Sequence, residues 1–139
     1  TLALSIRALD TEVRALLKER ILELVKLQAE SYGVQASIDW REGYAVLVNT
    51  PDETEFATQV ATKVFGADRV EPNGPAYTAS EDFAFMLQKV PGSYIFIGNG
   101  GPGTRGACHV HNPGYDFNDE LIAPGAAFWL ALVGDYLKR

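Results

Sequence analysis

Residues 108–119 read Cys108-His109-Val110-His111-Asn112-Pro113-Gly114-Tyr115-Asp116-Phe117-Asn118-Asp119. These twelve residues hold both histidines and the only cysteine of the chain, packed among acidic, amide and aromatic groups. A glycine-rich run leads into them and an apolar stretch leads out. That apolar stretch, 121–137, is interrupted by Pro124, Gly125 and Gly134 and carries Asp135, so it reads as a buried helix and not as a membrane span. Any chemistry the chain performs is expected to pass through 108–119.

The totals bound the rest. The chain has 139 residues, enough for one domain or for pieces of two. Hydrophobic residues make up 47% and charged residues 22%, which places the chain among globular proteins and outside the disordered class. The net charge is -6 and no basic patch stands out, which argues against a nucleic-acid surface. A single Cys108 forms no internal disulfide and favours a reducing, cytoplasmic setting. The first residues lack the basic-then-apolar pattern of a signal peptide.

Outward from the organising stretch, periodicity places the elements. Residues 2–9 alternate, with Leu2, Leu4 and Ile6 on one face, and predict a strand. Asp10 or Thr11 caps a helix whose stripe is Val13, Leu16, Leu17, Ile21, Leu24, Val25 and Gln28, and Gly33 closes it. Residues 34–40 alternate again, Arg41-Glu42-Gly43 turns the chain, and 44–48 form another apolar run. The first part therefore reads β-α-β with a trailing strand. Thr50-Pro51-Asp52-Glu53 marks a boundary, with Thr50 as N-cap, Pro51 at the first helical position and Glu53 completing a capping box. The helix that follows carries Phe56, Val60 and Val64 and ends at Gly66. Ser80 caps a short helix from 81 to about 89, residues 94–97 form a buried type of strand, and the last helix occupies about 118–138 with an irregular first turn at Pro124. The fold class expected is α/β.

Four groups of residues invite a chemical reading. Gly98-Asn99-Gly100-Gly101-Pro102-Gly103 matches G-x-G-x-x-G, but a dinucleotide fingerprint must open directly into a helix, and Thr104-Arg105-Gly106 do not continue as one. A loop offering backbone amides to another ligand is the better reading. His109 and His111 flank one residue, so on a strand both would face one side, a way to present two imidazoles to a metal; Cys108 would point the other way. Two donors do not close a zinc site, and the pair can equally be surface or capping histidines. Glu81 and Asp82 stand at a helix start, where acids complement the dipole as readily as they catalyse. Arg7 suits a carboxylate or an ion pair at a sheet edge.

Taken in order, Ser80-Glu81-Asp82-Phe83-Ala84, Val90-Pro91-Gly92-Ser93-Tyr94, Ile97-Gly98-Asn99-Gly100, and His111-Asn112-Pro113-Gly114-Tyr115-Asp116-Phe117-Asn118-Asp119, followed by the helix with Gly125, resemble the C-terminal part of the dinuclear metallo-aminoacylases. The branch is that of the bacterial hippurate hydrolases and related N-acyl-amino-acid amidohydrolases. Ile6-Arg7-Ala8-Leu9-Asp10 and Val48-Asn49 match the second half of that family's inserted lid, so the resemblance spans essentially the whole chain. It implies a ferredoxin-like lid (dimerisation) domain, half of it in residues 1–49, and the C-terminal portion of a metallopeptidase-like catalytic domain in 50–139. It implies amide hydrolysis of small N-acyl or N-aroyl amino acids, two divalent metal ions (zinc or manganese) per full-length subunit, and a homodimer through the lid.

Residue by residue, the histidine that opens the family's His-Asn-Pro-Gly-Tyr-Asp-Phe string is a metal ligand and carries over to His111 alone; His109 has no counterpart. Glu81 is expected near the substrate, and the amides of Gly100 and Gly101 at a substrate carboxylate. Asp116 and Asn118 are expected to cap the last helix. The other ligands and the general-base glutamate belong to an N-terminal segment that this sequence does not contain, so the chain is expected to be a fragment, inactive alone. A second reading keeps the ancestry without the catalysis, as a binding or assembly module. A third gives the glycine loop a nucleotide.

Overall fold

Local capping signals decide where the first helix starts and stops. Helix α1 spans Thr11–Ser31. The Asp10 carboxylate accepts the Val13 N–H at 2.8 Å and satisfies one of the amides left free by the first turn. At the other end Gly33 has φ 65°, Gly33 N–H donates to Glu30 O and Val34 N–H to Ala29 O, both at 3.0 Å. That paired closure is a Schellman motif, and glycine supplies its left-handed residue without a Cβ penalty. The computed structural model describes residues 1–104 and 107–138.

Helix α2 spans Pro51–Phe65, α3 Phe83–Leu87 and α4 Ile122–Tyr136, with short 3-10 turns at Ala67–Arg69 and Asp119–Leu121. Pro51 sits at the first helical position, where its missing N–H removes no bond. Pro124 lies in the first turn of α4, and for the same reason the helix begins two residues before it. The Asn118 side chain accepts the Glu120 N–H at 3.1 Å and caps the short 3-10 turn, whereas α4, which Asp116 and Asn118 were expected to cap, has no side-chain cap.

The expected capping box of α2 is not formed. Thr50 makes no side-chain cap bond; instead its N–H donates to Gly92 O at 2.9 Å and its Oγ1 accepts the Gly92 N–H at 3.1 Å. Thr50 thus pins the start of α2 to a distant segment, which leaves Glu53 Oε2 buried without a hydrogen bond. Ser80 is likewise diverted: its Oγ accepts from Arg7 at 2.8 Å, and α3 starts after Asp82 without a side-chain cap.

No strand occurs among the described residues, so 2–9, 34–40, 44–48 and 94–97 are not strands there. The physical reason is that a strand requires a neighbour whose N–H and C=O groups complete the ladder. Alternation, as at Val34, Ala36 and Ile38, fixes which side chains share a face and supplies no partner. The α/β expectation therefore finds only its helices in these residues.

The chain divides into two compact units, Thr1–Asn49 with Gly74–Pro91, and Thr50–Asn73 with Gly92–Arg139. In the first, Arg7 donates to Thr78 O at 3.0 Å as well as to Ser80. Lys18 and Arg14 of α1 hold the turn at Glu42, Arg14 also donating to Tyr44 O at 2.6 Å, and Lys18 lies 5.5 Å from the Trp40 ring centre. The Lys18 hydrogen bond draws the Glu42 carboxyl below its ordinary pKa. No residue of α1 is buried; Leu17, Ile21 and Val25 are half-covered, whereas Leu16 and Leu24 of the expected apolar stripe are exposed.

The second unit is built on α2 packed against α4. Ala57, Val60 and Phe128 are its buried core, with Phe56, Val64, Phe65 and Leu132 against them. Phe65 and Phe128 stack with ring centres 6.2 Å apart. At the rim Lys63 pairs with Asp135 at 2.8 Å, and that bond lowers the Asp135 carboxyl below its ordinary pKa.

Candidate functional site

The second unit carries the organising stretch as a string of tight turns. The His109 carbonyl accepts the Asn112 N–H at 3.1 Å, and the Asn112 carbonyl accepts the Tyr115 N–H at 2.9 Å. Between these, Asn112 Oδ1 accepts the Gly114 N–H at 2.8 Å. Pro113 supplies the fixed φ that the second turn uses. The first turn places His111 in its third position with φ 71°, the one left-handed non-glycine residue among the described residues. For an L-residue that conformation is strained. The strand that would have set His109 and His111 side by side is absent, so the two imidazoles do not share a strand face. Both histidines are exposed, and Cys108 is half-buried.

The glycine-rich loop is joined to this stretch by the Asn99 side chain. Asn99 Nδ2 donates to Asp116 O at 2.8 Å, and Asn99 Oδ1 accepts the Asn118 N–H at 2.9 Å. Farther along, the Thr104 N–H and hydroxyl both bond Gly101 O, at 3.1 and 2.8 Å. Gly100, at φ 137°, cannot be replaced cheaply, because a Cβ there would collide with Thr104 Oγ1. Arg105 and Gly106, which the sequence reading included in this loop, lie outside the described residues. No helix opens in residues 107–118, so a dinucleotide-binding arrangement is not present there.

Glu81 lies in the first unit, half-buried, with Oε1 accepting the Phe83 N–H at 3.3 Å. That bond lies at the start of α3. His111, Gly100 and Gly101 lie in the second unit, and Asn99 joins their two loops. Asn99 was not singled out from the sequence. Its signal was an amide, able to donate and accept at once, set between two glycines after an apolar run.

The arrangement offers two exposed imidazoles, of which His111 is the one on the left-handed turn. Among the described residues no three His, Cys, Asp or Glu side chains gather to hold a metal ion. His111 fits the role of a single donor and nothing here completes a coordination sphere, which takes about four positions for zinc. No helix of the described residues is long and apolar enough to cross a membrane.

Comparison with known proteins gives these features a context. The model of a family described as Peptidase family M20/M25/M40 matches residues 5–135. The chain is 33% identical over 138 residues to a hippurate hydrolase of Campylobacter jejuni, covering 99% of this chain and 35% of that protein. It is 29% identical over 120 residues to a putative amidohydrolase of Bacillus subtilis, covering 86% of this chain and 30% of that protein. An N-acetyl-L-cysteine deacetylase of Bacillus subtilis is 28% identical over 125 residues, 89% of this chain and 28% of that protein. The chain thus spans about a third of the length of these relatives. No solved structure matches it.

Proposed function

The chain belongs to peptidase family M20/M25/M40, and from that premise we propose that it is the C-terminal portion of a metal-dependent amidohydrolase acting on N-acyl or N-aroyl amino acids. The observation that carries the reading is the likeness to a hippurate hydrolase over 99% of the chain. In the whole protein, residues 1–49 would form half of a ferredoxin-like lid that also makes a homodimer, and residues 50–139 the end of the catalytic domain. The alternating segments 2–9 and 34–40 would there find their strand partners. The single cysteine suits a cytoplasmic setting.

His111 would be a metal ligand, one of the set that holds two divalent ions, zinc or manganese. Such ions, when bound, acidify water and stabilise charge developing on an amide oxygen. The tasks of this chain are to hold the imidazole outward on its strained turn and to offer the Gly100 and Gly101 amides to a substrate carboxylate. Glu81 would stand beside the substrate. Hydrolysis adds one water across the acyl C–N bond and yields a carboxylic acid and a free amino acid.

Residues 1–139 alone are expected to leave N-benzoylglycine intact, because one imidazole is not a catalytic centre. The decisive comparison uses the protein as encoded by its gene, with added Zn²⁺ or Mn²⁺, and follows release of glycine. Wild type is expected to hydrolyse the amide, and His111→Ala to lose both metal and turnover. Normal turnover and metal content in His111→Ala would refute the assignment. A natural product that binds metal and cleaves no N-acyl amino acid would leave the binding-module reading standing.

A further inference from the structure

We propose that Asn99 is a positioning residue, whose side-chain amide holds the turn that presents His111. The inference rests on the reading of His111 as a metal ligand. The geometry is a two-sided clamp: one amide group donates to Asp116 O at 2.8 Å and accepts from Asn118 N at 2.9 Å. Both bonds are partly buried, where a lost partner costs more than at the surface. The clamp grips the downstream end of the string of turns. From there the fixed geometry passes back through Asn112–Tyr115 and His109–Asn112 to the left-handed His111. Asn118 is also fixed from its other side, since its Oδ1 takes the Glu120 N–H of the 3-10 turn that precedes α4. The loop that bears His111 is therefore moored to the glycine loop and to the 3-10 turn that precedes α4.

A left-handed histidine needs such a mooring. Left free, the turn would relax His111 to a right-handed or extended conformation and swing the imidazole away. Asparagine is suited to this task because its carboxamide carries a donor and an acceptor on separate atoms of one planar group, so it can hold two backbone atoms at once. Aspartate keeps only the acceptor, and alanine keeps neither. Partners that orient a metal-binding histidine commonly alter metal affinity by about 10- to 100-fold when removed.

The test compares wild type, Asn99→Ala and His111→Ala in the protein as encoded by its gene. Zn²⁺ affinity is measured by competition with a chromogenic chelator, and amide hydrogen exchange is followed at Asn112, Tyr115 and Asn118. Asn99→Ala is expected to speed exchange at these amides and to weaken Zn²⁺ binding about tenfold. Unchanged exchange overturns the clamp. Faster exchange with unchanged Zn²⁺ affinity, where His111→Ala does weaken binding, also overturns the proposal, because the mooring would then be structural only. If His111→Ala binds Zn²⁺ as wild type does, the metal role of His111 fails, and the exchange data alone decide whether Asn99 holds the turn. Should Asn99→Ala not fold, Asn99→Asp, which still accepts from Asn118, carries the same comparison.

Discussion

His111 shows most sharply how a single residue divides local preference from function. It occupies φ 71°, where histidine is strained and glycine is at ease. Gly33 and Gly66 take positive φ at helix ends, and the sequence announces both by residue type. Nothing in the residue type announces His111. The turn around it is imposed by Pro113, Gly114 and the Asn112 carboxamide downstream. His111→Gly should therefore leave stability unchanged or raised, within about 1 kcal/mol, because a left-handed Cβ penalty is removed and chain entropy partly offsets it. The same variant should bind no metal through this position. Urea unfolding and Zn²⁺ titration check the two halves, and a larger loss of stability would show that the imidazole holds the fold.

At the scale of elements, the α2–α4 pair supports the loops, and its own interactions are open to direct measurement. Phe128 is 5% exposed and sits between Val60, Ala57 and the Phe65 ring. Phe128→Ala should cost about 3–5 kcal/mol, enough to melt this small core. Loss of the α2 and α4 helical signal in circular dichroism is the readout. The Lys63–Asp135 pair gives a pH dependence of fixed sign. Its bond lowers the Asp135 carboxyl in the folded state, so the pair stabilises above the ordinary carboxylate range, about pH 4, and is lost as pH falls through the lowered value. Thermal melting from pH 7 to pH 2 should show that acid limb, and Asp135→Asn should reduce it in part, since Glu42 is lowered as well. The ends of α1 were legible because its Asp10 cap and its closure at Gly33 are local. The capping box at Thr50 was not, since Gly92 lies 42 residues away and outcompetes Glu53 for the threonine.

At the scale of the whole molecule, many large apolar side chains of the described residues are exposed. Leu130 and Leu137 of the α4 region are 76% and 78% exposed, Phe96 73% and Leu2 83%. Within the second unit an open cleft of about 310 Å³ is lined by Phe56, Phe128, Trp129, Leu132 and Tyr136. Soluble monomers rarely show this much uncovered hydrocarbon. Residues 1–139 in isolation should therefore associate in a concentration-dependent way, read by light scattering over a hundredfold dilution. A single monomeric mass across that range would contradict the expectation.

The sequence by itself determined the helices, several of their caps, the family and the identity of His111 as the residue to test. Those depend on residue type, spacing and ordered motifs, all of which are properties of the chain alone. Only the tertiary structure decided that Thr50 pairs with Gly92, that Arg7 reaches Thr78 and Ser80, and that Asn99 fastens the His111 loop. Each of these joins groups far apart in sequence, and a hydrogen bond of that kind is chosen by which donors and acceptors folding brings within reach. The same reason separates the alternating segments from strands: the pattern orients side chains, and the ladder depends on a neighbour.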